Sequence, residues 1–153
     1  MRTGYKVYDI MTANPIKIDA DASSQDCAEL MVKHRIGSII IVKKDKFVGI
    51  VTEEDLVHKI VLKDLVASSV PINKIMTPLK DIISIEPDKD IHEAMVVMKE
   101  NEIRRLPVMK GKVLHGLITS KDILRVQPDL FELVADTFEL REEDRKLKFI
   151  DRD

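Results

Sequence analysis

Gly49-Ile50-Val51-Thr52-Glu53-Glu54-Asp55 returns as Gly116-Leu117-Ile118-Thr119-Ser120-Lys121-Asp122, 67 residues later. Working outward, Ile18/Ile85, Met31/Met98 and Ile36/Ile103 keep the same offset of 67. Further upstream, Ile10-Met11-Thr12 returns as Ile75-Met76-Thr77 at an offset of 65, so two residues are inserted between Thr77 and Ile83. A period of this length means one supersecondary unit used twice, with two related clefts.

Each copy switches its hydrophobic period in the same order. Ile16-Lys17-Ile18 alternates and is β-branched, which predicts a short strand. Asp21-Ala22-Ser23-Ser24 offers helix N-caps, and Cys27, Leu30, Met31 and His34 follow at helical spacing. Gly37 is the expected C′ residue of that helix. Ser38-Ile39-Ile40-Ile41-Val42 reads as a strand buried on both faces. Lys43–Lys46 reads as a tight turn, Phe47–Val51 as the returning strand, and Thr52 as the start of a second helix through Leu56, Val57, Ile60 and Val61. The second copy repeats this: strand Ile83-Ser84-Ile85, a helix capped by Asp90, a hairpin from Leu106-Pro107-Val108-Met109 to Val113–Ile118, and a helix from Thr119. Pro107 lacks an amide donor and disfavours a central place for its strand.

The expected fold class is therefore α/β (α+β): two pseudo-symmetric βαββα repeats packed through their sheets, with a C-terminal helix. Residues 1–66 hold the first repeat, 67–126 the second and 127–153 an acidic amphipathic tail. Leu65–Asn73 reads as the connection between repeats. The tail segment 129–153 carries nine acidic and five basic residues, leaving 18 and 20 in residues 1–128. Leu130, Val134 and Phe138 recur along one helical face, with Phe131, Leu133 and Leu147 nearby. That face must dock, with its own module or a second subunit as the preferred surface and another protein as the sharper alternative.

At 153 residues and 44% hydrophobic composition the chain suits one compact domain. No apolar run approaches the roughly 18 residues of a membrane span. The N-terminus has no signal-peptide pattern, and Cys27 is the single cysteine, so a cytoplasmic protein without disulfides is expected. A net charge of −2 argues against a nucleic-acid partner. Phosphate loops, dinucleotide fingerprints and nucleophile elbows are missing, so no catalytic residue is assigned and no enzyme is expected. His34, His58, His92 and His115 have no ligand spacing, so no metal site is expected.

Thr-x-x-Asp carries two readings. It is a capping box, in which the Thr hydroxyl accepts the N3 amide and the acid accepts the N-cap amide. It is also a ligand pattern. An ionised Asp accepts both hydroxyls of a ribose diol, and a helix N-terminus offers amides to a phosphate. The copies differ around it. Glu53-Glu54 stands where the second has Ser120-Lys121, and Gly37-Ser38 where the second has Arg104-Arg105. Arginine forks suit phosphate oxygens, although exposed arginines are also ordinary surface. Phosphate preference should be lopsided towards the second copy.

These residues resemble the CBS domain pair, the tandem module named after cystathionine β-synthase. The resemblance spans residues 7–126. It rests on Ile-Met-Thr opening each copy, on the run from Met31 and Met98 into Ile39-Ile40 and Leu106-Pro107, and on the closing Gly-x-x-Thr-x-x-Asp. It implies clefts between the repeats for adenine nucleotides (AMP, ADP, ATP) or S-adenosylmethionine, and a homodimer forming a four-repeat disc. By family position, Asp55 and Asp122 would hold ribose. Thr52, Thr119, Arg104, Arg105 and Lys121 would hold phosphate, and Ile16, Ile83, Val51 and Ile118 would line the adenine slot or serve as ordinary core. The expected function is a regulatory ligand sensor acting on a separate protein, without a catalytic cofactor. The rival is a structural dimerisation or protein-interaction module with no nucleotide.

Overall fold

The computed structural model describes residues 1–133 and 135. In chain order the elements are α1 (Val7–Ile10), β1 (Lys17–Asp19), α2 (Ser24–His34), β2 (Ser38–Lys43), β3 (Lys46–Thr52), α3 (Glu53–Leu56), a π-helical turn (Val57–Val61), β4 (Thr77–Pro78), α4 (Ile91–Glu100), β5 (Arg105–Lys110), β6 (Val113–Thr119) and α5 (Ser120–Val126). Short 3₁₀ turns occupy Ala67–Ser69, Ile72–Lys74, Leu79–Asp81 and Pro128–Phe131. The fold is mixed α/β as expected: the first copy forms βαββα, and the second keeps the α-β-β-α order after a first strand reduced to one bridge.

The chain forms two compact units, one of residues 14–83 and one of residues 1–13 with 84–153. The units do not coincide with the repeat period. The Ile-Met-Thr that opens each copy is built into the unit formed by the body of the other copy.

In the unit of residues 14–83, four strands lie in the order β1-β2-β3-β4. β1 runs parallel to β2, with Ile18 opposite Ile41, and β2 pairs antiparallel with β3. Thr77 of the second opener pairs with Ile50 as the edge strand. Ile39, Ile41, Val51, Cys27, Met31, Ile60, Ile72 and Ile75 form the core. Each large aliphatic buried this way contributes about 1.5–3 kcal/mol. Ile40 is buried as well, so β2 is covered on both faces. The connection after the π-turn is tied down: Ile72 donates its amide to the Ala22 carbonyl at 2.7 Å, and Ser24 donates to Val70.

The other unit repeats the register at an offset of 67. β5 pairs with β6 in the same alignment as β2 with β3, and both pairs shift register at the equivalent place. Thr12 and Leu117 exchange two backbone bonds, at 2.9 and 3.0 Å. The core is Val7, Ile85, Ile91, Ala94, Met95, Met98, Leu106, Val108, Ile118, Ile123 and Leu130. Cys27 and Ala94, aligned in sequence, are both fully buried.

Two sequence expectations change. The first strand of the second copy shrinks to one bridge, Ile85 opposite Val108. Pro107 supplies the reason. In the first copy the Ile40 amide donates to the Ile16 carbonyl at 3.0 Å. Ile40 corresponds to Pro107 and Ile16 to Ile83, and proline has no N–H to give. The ladder stops there, and Ile83 is 38% exposed. Pro107 nevertheless sits between two partners, because its carbonyl accepts the Ile85 amide at 3.0 Å.

The second change concerns α2, which ends on Arg35 (φ 54°, ψ 47°) rather than on Gly37. The Ile36 amide closes onto the Met31 carbonyl at 3.0 Å, a Schellman closure. The second copy ends its helix the same way, with Glu102 at φ 54° and Ile103 bonded to Met98.

Of the C-terminal tail, the described part turns at Pro128–Phe131 and packs Leu130 and Leu133 on the core of its own unit. Val134, Phe138 and Leu147 lie outside the described residues.

Candidate ligand-binding site

Both Thr-x-x-Asp segments fold as capping boxes, because a Thr hydroxyl at the N-cap and an acid at N3 satisfy two amides reciprocally. In the second copy, Thr119 donates its amide to Asp122 Oδ2 at 2.9 Å, and the Asp122 amide donates to Thr119 Oγ1 at 3.2 Å. The same bonds in the first copy measure 2.9 Å (Thr52 to Asp55 Oδ2) and 3.3 Å (Asp55 to Thr52 Oγ1).

The expectation of free helix-end amides needs correcting. Ser120 donates its amide to the Arg104 carbonyl at 2.9 Å, and Glu53 donates to the Gly37 carbonyl at 3.0 Å. With the N3 amides capped by threonine, half or more of the donors offered to a phosphate are already spent. Phosphate charge must come from side chains instead.

The side chains differ between copies. Arg105 lies directly across the ladder from Thr119, where the first copy has Ser38 across from Thr52. Arg104, through its carbonyl, is tied to the first residue of α5. Arg104, Arg105, Thr119, Lys121 and Asp122 thus share one end of the β5–β6 hairpin. Lys121 is exposed, and Asp122 is half-buried with no partner on Oδ1 among the described residues.

Asp55 is committed differently. Its Oδ2 also accepts the Thr52 hydroxyl at 3.2 Å, and its Oδ1 meets Lys59 Nζ at 3.0 Å. Lys59 Nζ in turn donates to the Ile75 carbonyl at 2.8 Å. Sequence reasoning missed Lys59, although its i,i+4 spacing from Asp55 was the available signal. At the matching place the second copy has Val126.

The CBS domain family matches the chain twice, over residues 7–62 and 72–129. The chain belongs to the CBS domain family. It is a tandem CBS pair. A Methanopyrus kandleri protein is 35% identical over 131 residues, covering 84% of this chain and 63% of that protein, so the chain spans under two thirds of that relative. A solved Burkholderia ambifaria protein with CBS domains is 31% identical, with a TM-score of 0.72 over 82% of this chain and 96% of that one. A CBS domain pair solved in complex with 5′-methylthioadenosine and S-adenosyl-L-methionine is 28% identical, with a TM-score of 0.69 over 80% and 94%.

Within the CBS pair, the four proposed adenine-slot residues divide. Val51 and Ile118 are fully buried in the cores of their units. Ile16 is half-buried against the core formed by β1–β3, and Ile83 stands partly open beside the broken ladder. Ile16, Ile83, Val51, Thr52 and Asp55 belong to one unit, and Arg104, Arg105, Ile118, Thr119, Lys121 and Asp122 to the other.

Burial pushes the Cys27 thiol up to about 12, which leaves it an inert packing residue at neutral pH. At Asp90, burial acts to raise the pKa. Bonds from the His92 amide, the Thr3 hydroxyl and amide and the Gly4 amide outweigh it and hold the carboxyl below its ordinary value. No cluster of three metal-ligating side chains occurs among the described residues. No helix among them is long and apolar enough to cross a membrane.

Proposed function

We propose that this CBS pair is a cytoplasmic regulatory module that binds an adenosine-containing metabolite, an adenine nucleotide or S-adenosylmethionine, chiefly through the half-site of Asp122. One observation carries this: among the described residues, Asp122 keeps Oδ1 open to a ribose diol, on the same hairpin end as Thr119, Arg104, Arg105 and Lys121, while its repeat partner Asp55 is tied to Lys59. A carboxylate fixed by its own capping bond is an acceptor already oriented for two hydroxyls. The complex of a related CBS pair with two adenosine compounds supports the ligand class.

Signalling follows if the ligand binds two arrangements of the chain, or of a homodimer, with different affinity; a separate regulated protein reads the difference. The reading needs no catalytic cofactor and no turnover.

Thermal unfolding of the wild type and of Asp122→Ala, with millimolar AMP, ADP, ATP and S-adenosylmethionine, tests this. Ligand bound to the folded state raises the melting temperature by mass action. A rise in the wild type that is lost in Asp122→Ala is expected. No rise with any of the four would overturn the reading.

A second reading has its own observation. Val57, Val61, Leu62, Leu65 and Val66 are all exposed on the π-turn and the segment after it. Such an apolar run fits a protein-interaction module, and sedimentation would show an oligomer that dissociates on Val61→Glu.

A further inference from the structure

The two repeats carry the same Thr-x-x-Asp in the same capped geometry, yet among the described residues only the first copy holds a cation against the acid. Lys59 Nζ lies 3.0 Å from Asp55 Oδ1 and 2.8 Å from the Ile75 carbonyl oxygen. The two acceptors pin the ammonium from two sides. Asp55 is only 15% exposed and Lys59 39%, so the contact is partly shielded from solvent. Lys59 also lies on a π-helical turn, where α5 continues as regular α-helix through Val126. Such turns recur at functional positions.

We propose that Lys59 is a specificity-determining residue that closes the Asp55 half-site. This rests on the reading that the Thr-x-x-Asp acids hold a ribose diol. The ammonium takes the carboxylate oxygen that the diol needs. A ligand entering there must break a charge-assisted bond to Asp55 and leave the Ile75 carbonyl without its donor. In the second copy, Val126 can do neither, and Asp122 keeps Oδ1 available among the described residues. Lys59 therefore sets the stoichiometry, holding a doubled motif to one working acid per chain.

The test is calorimetric titration of the full chain with adenosine, which carries the diol and no phosphate and so avoids Glu53 and Glu54. The wild type should bind one equivalent, lost in Asp122→Ala. Lys59→Met, which keeps the aliphatic length and removes the charge, should add a second site. That site should be about tenfold or more tighter than any residual wild-type binding at Asp55, the scale of one charge-assisted bond. Adding Asp55→Ala should abolish it, and Lys59→Arg, which keeps the cation, should not create it. One wild-type site with no gain in Lys59→Met would overturn the role of Lys59 and leave the ligand reading standing. An unresponsive wild type with an Asp55-dependent site in Lys59→Met would uphold Lys59 and overturn Asp122. Silence from every variant would overturn both.

Discussion

Replacing Gly116 by alanine tests the most specific feature of the fold, the placement of each Ile-Met-Thr opener on the body of the other copy. A Cβ at Gly116 would overlap the Thr12 carbonyl oxygen and stand 2.9 Å from Met11 Sδ. The sulfur lies on a flexible side chain and can move. The carbonyl cannot, because Thr12 and Leu117 hold each other through two backbone bonds. Losing both removes about 1–3 kcal/mol at roughly 0.5–1.5 each. Alanine returns about 0.4–1 kcal/mol by restricting the unfolded chain. Forced displacement of packed backbone costs about 1–3 kcal/mol more. The net expectation is a loss of about 1–6 kcal/mol, and the melting temperature should fall about 2–4 °C for each kcal/mol lost. Hydrogen exchange at the Thr12 and Leu117 amides should quicken with it. Gly49→Ala should behave alike, since its Cβ would come 2.7 Å from the Thr77 carbonyl oxygen. Gly111→Ala is the control: Gly111 has φ +60° and open space around it, so alanine there strains the turn without touching the Thr12 amide. A Gly116→Ala protein as stable as the wild type, with Thr12 still protected, would refute the packing argument.

Two further outcomes follow from particular contacts. Asp90→Ala removes the α4 cap and the bonds to Thr3, at 2.8 Å from the His92 amide and 2.9 Å from both Thr3 donors, and should cost about 1–2 kcal/mol in urea unfolding. Because the folded-state pKa is held down, that contribution is complete above the ordinary carboxylate range, about pH 4, and fades as pH falls through the folded value; a wild-type advantage unchanged down to pH 2 would contradict this. Pro107→Ile restores the missing donor opposite Ile83, so the new amide at position 107 should exchange at least tenfold more slowly than an open amide; exchange at the free rate would show that proline is not what breaks the ladder.

Much of the candidate site was legible because it lies in local pattern. Thr-x-x-Asp names its own capping geometry, and the structure realises it twice. The pairing of Gly37-Ser38 with Arg104-Arg105 was legible too, since hairpins of equal length keep one register. Lys59 was overlooked because a side chain four residues away is only one of many helical neighbours until a second acceptor fixes it. That acceptor, the Ile75 carbonyl, comes from the other copy's opener and depends on long-range packing. The spent amides of Ser120 and Glu53 have the same origin, because their acceptors sit on the preceding strands.

By itself the sequence determined the repeat, the order β-α-β-β-α, the caps at Thr52, Asp90 and Thr119, and a cap within Asp21–Ser24 that the structure places at Ser23. Each depends on residues a few positions apart, so spacing carries the information. Only the tertiary structure decided that the openers cross to the other unit, that Pro107 cuts the ladder at Ile83, and that Asp55 is tied to Lys59 while Asp122 Oδ1 has no partner among the described residues. Those outcomes turn on which backbone carbonyl lies opposite which donor after the chain has returned from some sixteen to a hundred residues away. No local pattern encodes that meeting.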